Sequence, residues 1–163
     1  MSRTPKKTLK GSIGGLFETH IKVRNLERAM RFYENVIGLE LGTQEPNRKL
    51  AIYWIIKGQS MLGLWEVPED QWFKNHFAFT TNLEKMRTLR ETLEQHGLQW
   101  HNFLDDDSGS LHVFGWMPAV SVYFTDPDGN SLEILAMLPD DPKPELDVIS
   151  WERWEALHHR NEP

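Results

Sequence analysis

Four side chains in this sequence are of the types that bind metal ions and move protons. Glu18 and His20 lie two residues apart in an apolar segment, so on a β-strand they point to the same face. His76 begins a second such segment, and Glu133 lies in a third among apolar neighbours, where a carboxylate is costly to bury unless it is paired, protonated or bound to a cation. Imidazole nitrogens and carboxylate oxygens together suit a divalent transition metal such as Zn, Ni, Mn or Fe. The four residues are therefore the candidate metal ligands, and Glu18 and Glu133 are also the candidate catalytic carboxylates.

A repeated pattern indicates how these residues are positioned. Residues 19–30 and 75–86 each read as a strand with an inward His, an Asn-Leu-Glu helix start and an amphipathic helix. A repeated unit that cannot bury its own apolar face is expected to pack on its copy. We therefore expect the two histidines, distant in the chain, to approach a common cleft.

The element pattern predicts an α+β fold made of two βαβββ modules. Apolar periodicity predicts strands followed by helices at 26–37 and 83–95, with Asn25 and Asn82 as their N-caps. The predicted strands are 16–23, 39–44, 50–56 and 61–67 in the first module and 76–81, 98–104, 120–124 and 131–137 in the second, with 105–115 a polar loop or a loosely paired strand. The predicted organisation is a flexible tail at 1–14, modules at 15–67 and 74–138, and a linker with a short C-terminal helix at 139–163.

Aromatic side chains are the candidates for lining the cleft and holding a planar or apolar ligand. For each of them, ordinary strand packing is the competing interpretation, and Trp116, after a Ser-Gly-Ser segment, is also the candidate for a mobile lid. The candidate substrate-binding residues are Tyr53, Trp54, Trp65, His112, Trp116 and Tyr123.

Composition limits the partners and the compartment. The 163 residues carry a net charge of -6, which argues against nucleic acid as the main partner. The chain has no cysteine, so disulfides and thiolate chemistry are excluded. The sequence shows neither an apolar run long enough to span a bilayer nor a signal peptide, so we expect no membrane partner and a cytoplasmic location.

Two segments resemble the vicinal oxygen chelate superfamily. They are residues 17–39, with Phe-Tyr before a Gly-Leu helix exit, and residues 122–133, with an Asp-Pro-Asp-Gly turn followed by Glu. The superfamily includes glyoxalase I, bleomycin-resistance proteins, fosfomycin-resistance enzymes, methylmalonyl-CoA epimerase and extradiol dioxygenases. The resemblance covers roughly residues 16–138 and implies paired βαβββ modules, each a half-open barrel. It also implies a divalent cation in the cleft, a small substrate with adjacent oxygens, and a homodimer.

The resemblance also implies a ligand set. His76 and Glu133 match the ligand positions of the second module. In the first module the ligand position is Glu18, five residues before a Val, whereas alignment of the two repeats by their histidines favours His20. Gly63 stands at the fourth position, which implies a three-ligand site.

Two functions remain open from the sequence. The first is a metal-dependent lyase, isomerase or dioxygenase, in which the cation acts as a Lewis acid and Glu18 or His20, whichever does not bind the metal, moves a proton. The second is a metal-free drug-binding protein of the bleomycin-resistance type, which the tryptophan content and Gly63 favour and the paired His and Glu oppose.

Overall fold

A computed structural model describes residues 10–158, and the chain divides into two compact units, Met1–Val67 and Pro68–Pro163. Each unit contains one mixed sheet, and the three α-helices and two sheets among the described residues confirm the predicted α+β class. Positions 1–9 of the predicted flexible tail, and 159–163 of the predicted C-terminal segment, lie outside the described residues.

Unit 1 is the first βαβββ module. It contains β1 (Glu18–Val23), α1 (Leu26–Asn35), β2 (Glu40–Glu45), β3 (Leu50–Ile56) and β4 (Ser60–Glu66), with short 3-10 turns at Lys10–Ser12 and Pro46–Arg48. The sheet order is β1-β4-β3-β2, in which β1 and β4 are parallel and the other pairs are antiparallel. The predicted strand–helix–strand–strand–strand order is confirmed.

Helix α1 covers one face of this sheet. The Asn25 side chain accepts a hydrogen bond from the Arg28 backbone N–H at 2.8 Å, which confirms the predicted N-cap. The helix buries its apolar stripe, and the sheet contributes alternate side chains to the same core. The main core residues are Leu26, Ala29, Phe32, Tyr33, Ile21, Val23, Tyr53, Leu62 and Leu64. We call the other face, which carries Glu18, His20, Trp54, Gly63 and Trp65, the open face of unit 1.

Unit 2 contains the second module and a C-terminal addition. Its elements are β5 (His76–Thr80), α2 (Leu83–Gln95), β6 (His112–Phe114), β7 (Ala119–Thr125), β8 (Ser131–Met137), β9 (Val148–Ser150) and α3 (Trp151–His158), with 3-10 turns at Glu69–Gln71 and Pro144–Leu146. The sheet order is β5-β8-β7-β6-β9, with β5 and β8 parallel. Asn82 caps α2 as predicted, since its side chain accepts from Lys85 N–H at 2.9 Å.

The predicted strand at 98–104 is wrong. His101 forms only an isolated antiparallel bridge with Tyr123, in which both backbone hydrogen bonds measure 2.9 Å. The buried Asn102 side chain then donates to Asp106 Oδ1 at 2.7 Å and stabilises a loop that leads away from the sheet. The pairing with the beginning of β7 is made by β6, which falls in the segment given as a loop or a loosely paired strand.

The C-terminal segment extends the sheet of unit 2. Strand β9 pairs with β6, and α3 follows it directly, so a short helix lies within the segment where the sequence predicted one. Trp154 is fully buried and its indole donates to Asp140 Oδ2 at 2.7 Å, while Trp151 is also buried. The two tryptophans therefore pack α3 on its own unit. None of the helices within residues 10–158 is long and apolar enough to cross a membrane.

Candidate functional site

His76 and Glu133 lie side by side in unit 2. They are carried by the adjacent parallel strands β5 and β8, and His76 Nε2 lies 3.3 Å from Glu133 Oε2. Glu133 is buried, with 6% of its surface exposed, whereas the His76 side chain is about half-exposed. The parallel pairing of β5 and β8 therefore brings these two candidate ligands to within contact distance.

Hydrogen bonding determines which nitrogen of His76 carries the proton. Nδ1 lies 3.2 Å from the carbonyl oxygen of Ser131, which can only accept, so Nδ1 is the donor. In the neutral ring Nε2 then carries a lone pair, and it faces a carboxylate oxygen of Glu133. Two acceptors this close are stabilised by a proton between them, on Nε2 or on the carboxyl group, or by a cation.

The same geometry suits two ligands of one metal ion. With metal–nitrogen and metal–oxygen bonds of about 2.0–2.2 Å, neighbouring ligand atoms lie roughly 2.9–3.4 Å apart. The Nδ1–H to backbone carbonyl bond is the usual partner of a metal-binding imidazole. His76 and Glu133 therefore fit a divalent ion by donor type, tautomer and spacing.

Tyr123, a candidate substrate-binding residue, lies beside this pair. It is directly opposite Glu133 in the β7–β8 ladder, and its ring stacks between those of His76 and His101 at centroid distances of 6.1 and 5.5 Å. Burial is the largest cause of the raised pKa of Tyr123, and the bond to Glu133 and that carboxylate's charge raise it further. The phenol therefore stays protonated at neutral pH and donates to Glu133.

Unit 1 carries a second His–carboxylate pair, Glu18 and His20, on its open face. His20 Nε2 lies 3.5 Å from Glu18 Oε1, and the Glu18 side chain is half-exposed. The other ring nitrogen of His20, Nδ1, accepts a hydrogen bond of 2.7 Å from Trp65 Nε1. The Arg48 guanidinium lies 4.9 Å above the Trp65 ring and packs on it as a cation–π partner.

The parallel strand pairs of the two units have matching registers. His20 lies opposite Gly63 in the β1–β4 pair, and Ala78 lies opposite Glu133 in the β5–β8 pair. Each pair thus combines one large and one small residue. In unit 1 the large residue, His20, is on β1, the first strand, whereas in unit 2 the large residue, Glu133, is on β8, the strand that pairs with the first one. A Cβ on Gly63 would overlap the His20 ring at Nδ1, so the ring fills the space above the glycine.

The register also shows which of the two candidate first-strand ligands in unit 1, Glu18 or His20, corresponds to His76 in unit 2. Glu18 and His76 both begin their strands, and each lies two residues before the position that faces Gly63 or Glu133. Glu18 is therefore the counterpart of His76 in the folded chain. The alignment by histidines, which favoured His20, does not correspond to the strand pairing.

The remaining predicted substrate-binding residues lie in different environments. Trp54 and Trp65 lie on the open face of unit 1. Trp116 is 62% exposed in the turn between β6 and β7. His112 is buried, and its Nε2 lies 3.8 Å from Asp106 Oδ2.

Tyr53 requires a correction. It was predicted to line the ligand cleft, but it lies on the helix-covered face, is fully buried, and donates its hydroxyl to Glu34 Oε1 at 2.7 Å. Burial and the Glu34 carboxylate raise its pKa. Its neighbour Trp54 takes the open face because successive side chains on a strand alternate.

Two polar residues of unit 2 with notable side-chain contacts were not predicted as site residues. His101 stacks on Tyr123, although the sequence placed it only in an ordinary strand. Asp106, interpreted as part of a solvated loop, accepts from Ser108 and Asn102, and these bonds lower its pKa to about 2. The Asp-x-Ser spacing is a turn signal, and it predicts the hydrogen bond between Asp106 and Ser108. It does not predict the contact between Asp106 and His112.

Metal binding through a preformed three-residue group is not seen in either unit. Among residues 10–158, no three or more His, Asp or Glu side chains are grouped so that they hold an ion. In each unit the first strand instead carries a histidine close to a carboxylate, and in unit 2 His76 and Glu133 have the geometry and tautomer of metal ligands.

Comparison with known proteins identifies the family. The family model described as the Glyoxalase/Bleomycin resistance protein/Dioxygenase superfamily matches residues 15–134. The chain therefore belongs to this superfamily, which confirms the resemblance seen in the sequence.

Solved structures agree with this assignment. The integron cassette protein HFX_CASS4, from the mobile metagenome of the Halifax Harbour sewage outfall, is 34% identical, with a TM-score of 0.66 over 77% of this chain and 100% of that one. Lactoylglutathione lyase from Agrobacterium tumefaciens is 22% identical, with a TM-score of 0.61 over 76% of this chain and 94% of the other. The antibiotic-binding protein TnmS3 from a Streptomyces species is 16% identical, with a TM-score of 0.57 over 78% and 98%. The last two likenesses show the fold alone.

Proposed function

We propose that this protein is a divalent-metal-dependent enzyme that acts on a small substrate with adjacent oxygen atoms. The observation that carries the proposal is the His76 Nε2 lone pair facing the buried Glu133 carboxylate at 3.3 Å. A cation placed there would offset the cost of burying Glu133. The fold does not choose among lyase, isomerase and dioxygenase chemistry, because it hosts all of them.

The proposed ligands in unit 2 are His76 and Glu133, and the proposed ligand in unit 1 is Glu18, with His20 as the alternative to Glu18. Glu18 is included because its register position is that of His76 and because its carboxylate is accessible. Bound divalent metal would supply Lewis-acid stabilisation of negative charge on the substrate oxygens.

The chain's own residues have separate tasks in this proposal. Tyr123 donates its hydroxyl to Glu133 and fixes the orientation of that carboxylate. Whichever of Glu18 and His20 does not bind the metal takes and returns a substrate proton. Trp54 and Trp65 provide aromatic surface on the open face of unit 1 for an apolar part of the substrate.

Metal analysis with matched variants tests the proposal. Protein purified without chelators and equilibrated with Zn²⁺ or Mn²⁺ is expected to hold one ion per chain. His76→Gln and Glu133→Gln are expected to lose that ion, whereas His96→Gln and Glu40→Gln, which alter an exposed imidazole and an exposed carboxylate elsewhere, retain it. Wild-type protein that takes up no ion, or Glu133→Gln that binds as wild type does, contradicts the metal site.

The competing function is a metal-free small-molecule binder. Gly63 supports it, because the residue that corresponds to Glu133 has no side-chain donor in unit 1. An antibiotic-binding protein also shares the fold. Ligand binding that survives complete chelation, with no catalytic turnover of α-hydroxycarbonyl or catechol compounds by the metal-loaded protein, would establish this function instead.

A further inference from the structure

The hydrogen bond from Trp65 to His20 determines the tautomer of His20. An indole N–H is only a donor, so His20 Nδ1, at 2.7 Å, is the acceptor. In the neutral ring the single proton is then on Nε2. That nitrogen lies 3.5 Å from Glu18 Oε1, so the protonated side of the ring is beside the carboxylate.

His20 and His76 therefore have opposite tautomers. In His76 the proton is on Nδ1 and the Nε2 lone pair is directed at its carboxylate neighbour. In His20 the Nδ1 lone pair is engaged by Trp65, and Nε2 carries the proton. Imidazoles that bind metal through one nitrogen almost always donate through the other. His76 satisfies that pattern, and His20 does not.

Gly63 is what allows the His20 ring to lie in this place. A Cβ at that position would lie 2.9 Å from His20 Cγ and closer still to Nδ1, so a side chain on Gly63 and the ring exclude each other. In unit 2 the small residue is Ala78 on β5, and its partner on β8 is the larger Glu133. Gly63 on β4 therefore makes the observed position of the His20 ring possible.

We propose that His20 is a positioning residue for Glu18 and not a metal ligand. Trp65 holds the ring by Nδ1, Gly63 leaves the space for it, and the Nε2–H is within reach of the Glu18 carboxylate, whose Oε1 lies 3.5 Å from Nε2. A half-exposed glutamate has several rotamers, and a fixed donor restricts it to those that keep an oxygen at this place. The metal-related part of this inference rests on the proposed function, whereas the tautomer does not.

The tautomer is tested first, without metal. Long-range ¹⁵N–¹H spectra of uniformly labelled apo protein at pH 8 are expected to show His20 protonated on Nε2 and His76 on Nδ1. Trp65→Phe is expected to shift the His20 Nδ1 resonance, whereas Trp100→Phe, which removes an indole bond to Glu94 elsewhere, leaves it unchanged. A proton on Nδ1 of His20 in the wild-type protein overturns the inference.

Zn²⁺ titration of two His20 variants tests the role. His20→Gln keeps an N–H donor but has no imidazole, and it is expected to bind Zn²⁺ nearly as wild type does. His20→Ala loses the donor and is expected to bind roughly 10–100-fold more weakly, the usual cost of losing an outer-shell partner. Equal loss in both variants identifies His20 as a ligand, and no loss in either shows that it does not position Glu18. Both results overturn the inference.

The two proposals fail in different ways. If wild-type protein binds no Zn²⁺ but His20 is protonated on Nε2, the metal-dependent function is wrong and the Trp65–His20–Glu18 arrangement stands as a hydrogen-bonded unit. If Zn²⁺ binds and shifts the His20 Nε2 resonance as a coordinated nitrogen, the metal function stands and the positioning role is wrong.

Discussion

The backbone N–H of Asn75 donates to the side-chain oxygen of Asn130 at 2.9 Å. Asn75 immediately precedes His76, and Asn130 ends the turn that leads into β8. The same Asn130 side chain donates to Asp126 Oδ2 at 2.8 Å, and its backbone N–H donates to Asp126 Oδ1 at 2.9 Å. One buried side chain thus fixes the beginning of β5 against the Asp-Pro-Asp-Gly turn and sets where the His76 ring meets Glu133.

Asn130→Ala is therefore expected to destabilise the protein by about 1–3 kcal/mol, because it leaves buried donors and acceptors without partners. Urea unfolding followed by circular dichroism measures this change. Asn47→Ala, at an exposed position in the turn between β2 and β3, is the matched control and is expected to stay within about 0.5 kcal/mol of wild type. Equal stability of the two variants would show that the Asn75–Asn130 bond does not support the turn.

The effect of Gly63→Ala on stability is expected to depend on the residue at position 20. In wild-type protein the new Cβ overlaps the His20 ring and displaces it from Trp65, at a cost of about 1 kcal/mol, the low end for overpacking because the ring is partly exposed and can move. In a His20→Ala background the overlap is gone, and alanine is expected to be neutral or stabilising in a strand.

A double-mutant cycle on thermal or urea unfolding checks this coupling. The free energy of adding Gly63→Ala must be less favourable with His20 present than with His20→Ala. Additive effects would mean that the ring does not occupy the space above the glycine.

Tyr53→Phe is expected to reduce stability by about 0.5–1.5 kcal/mol without changing metal or ligand affinity. The change removes the hydroxyl bond to Glu34 on the helix-covered face and leaves the open face untouched. Chemical denaturation gives the first quantity and Zn²⁺ titration the second. A weakened affinity at unchanged stability would return Tyr53 to the substrate-binding set.

Asp106 is expected to make stability depend on pH in the acid range. Its hydrogen bonds with Ser108 and Asn102 lower its pKa from 3.8 to about 2 in the folded protein. A lowered folded-state pKa contributes stability that is complete above the unfolded value and is lost as the pH falls through the folded value. Wild-type protein should therefore lose stability between about pH 4 and pH 2 more steeply than Asp106→Asn.

Unfolding curves collected at intervals from pH 5 to pH 2 measure this difference. Asp107→Asn, in the same loop, serves as the control and is expected to follow wild type. Parallel profiles for wild type and Asp106→Asn would show that the Asn102–Asp106–Ser108 bonds do not persist in solution.

The sequence predicted both modules because their signals are local. The helix stripes and the two Asn caps depend on residues at most four positions apart, and the Asp126–Asn130 turn closes on itself. The strand at 98–104 was wrongly predicted because its apolar pattern is also local, whereas the pairing that would make it a strand is taken by β6. Side-chain bonds of Asn102, invisible to periodicity, decide that competition.

The choice of candidate site residues likewise rested on local signals, which do not show tertiary packing. Residue type and alternation were sufficient to select Glu18, His20, His76 and Glu133. The neighbours Tyr53 and Trp54 were both predicted to line the cleft, although successive residues of a strand point to opposite faces. Only the packing of α1 shows that Tyr53 is on the covered face.

The sequence by itself determined the repeated modules, their family and the donor types available, since these depend on spacing along the chain. Only the tertiary structure decided that Glu18 corresponds to His76, because this follows from how β1 and β5 pair with β4 and β8. It also decided the opposite tautomers of the two histidines. Those depend on hydrogen-bond partners 45 and 55 residues away, whose positions no local pattern specifies.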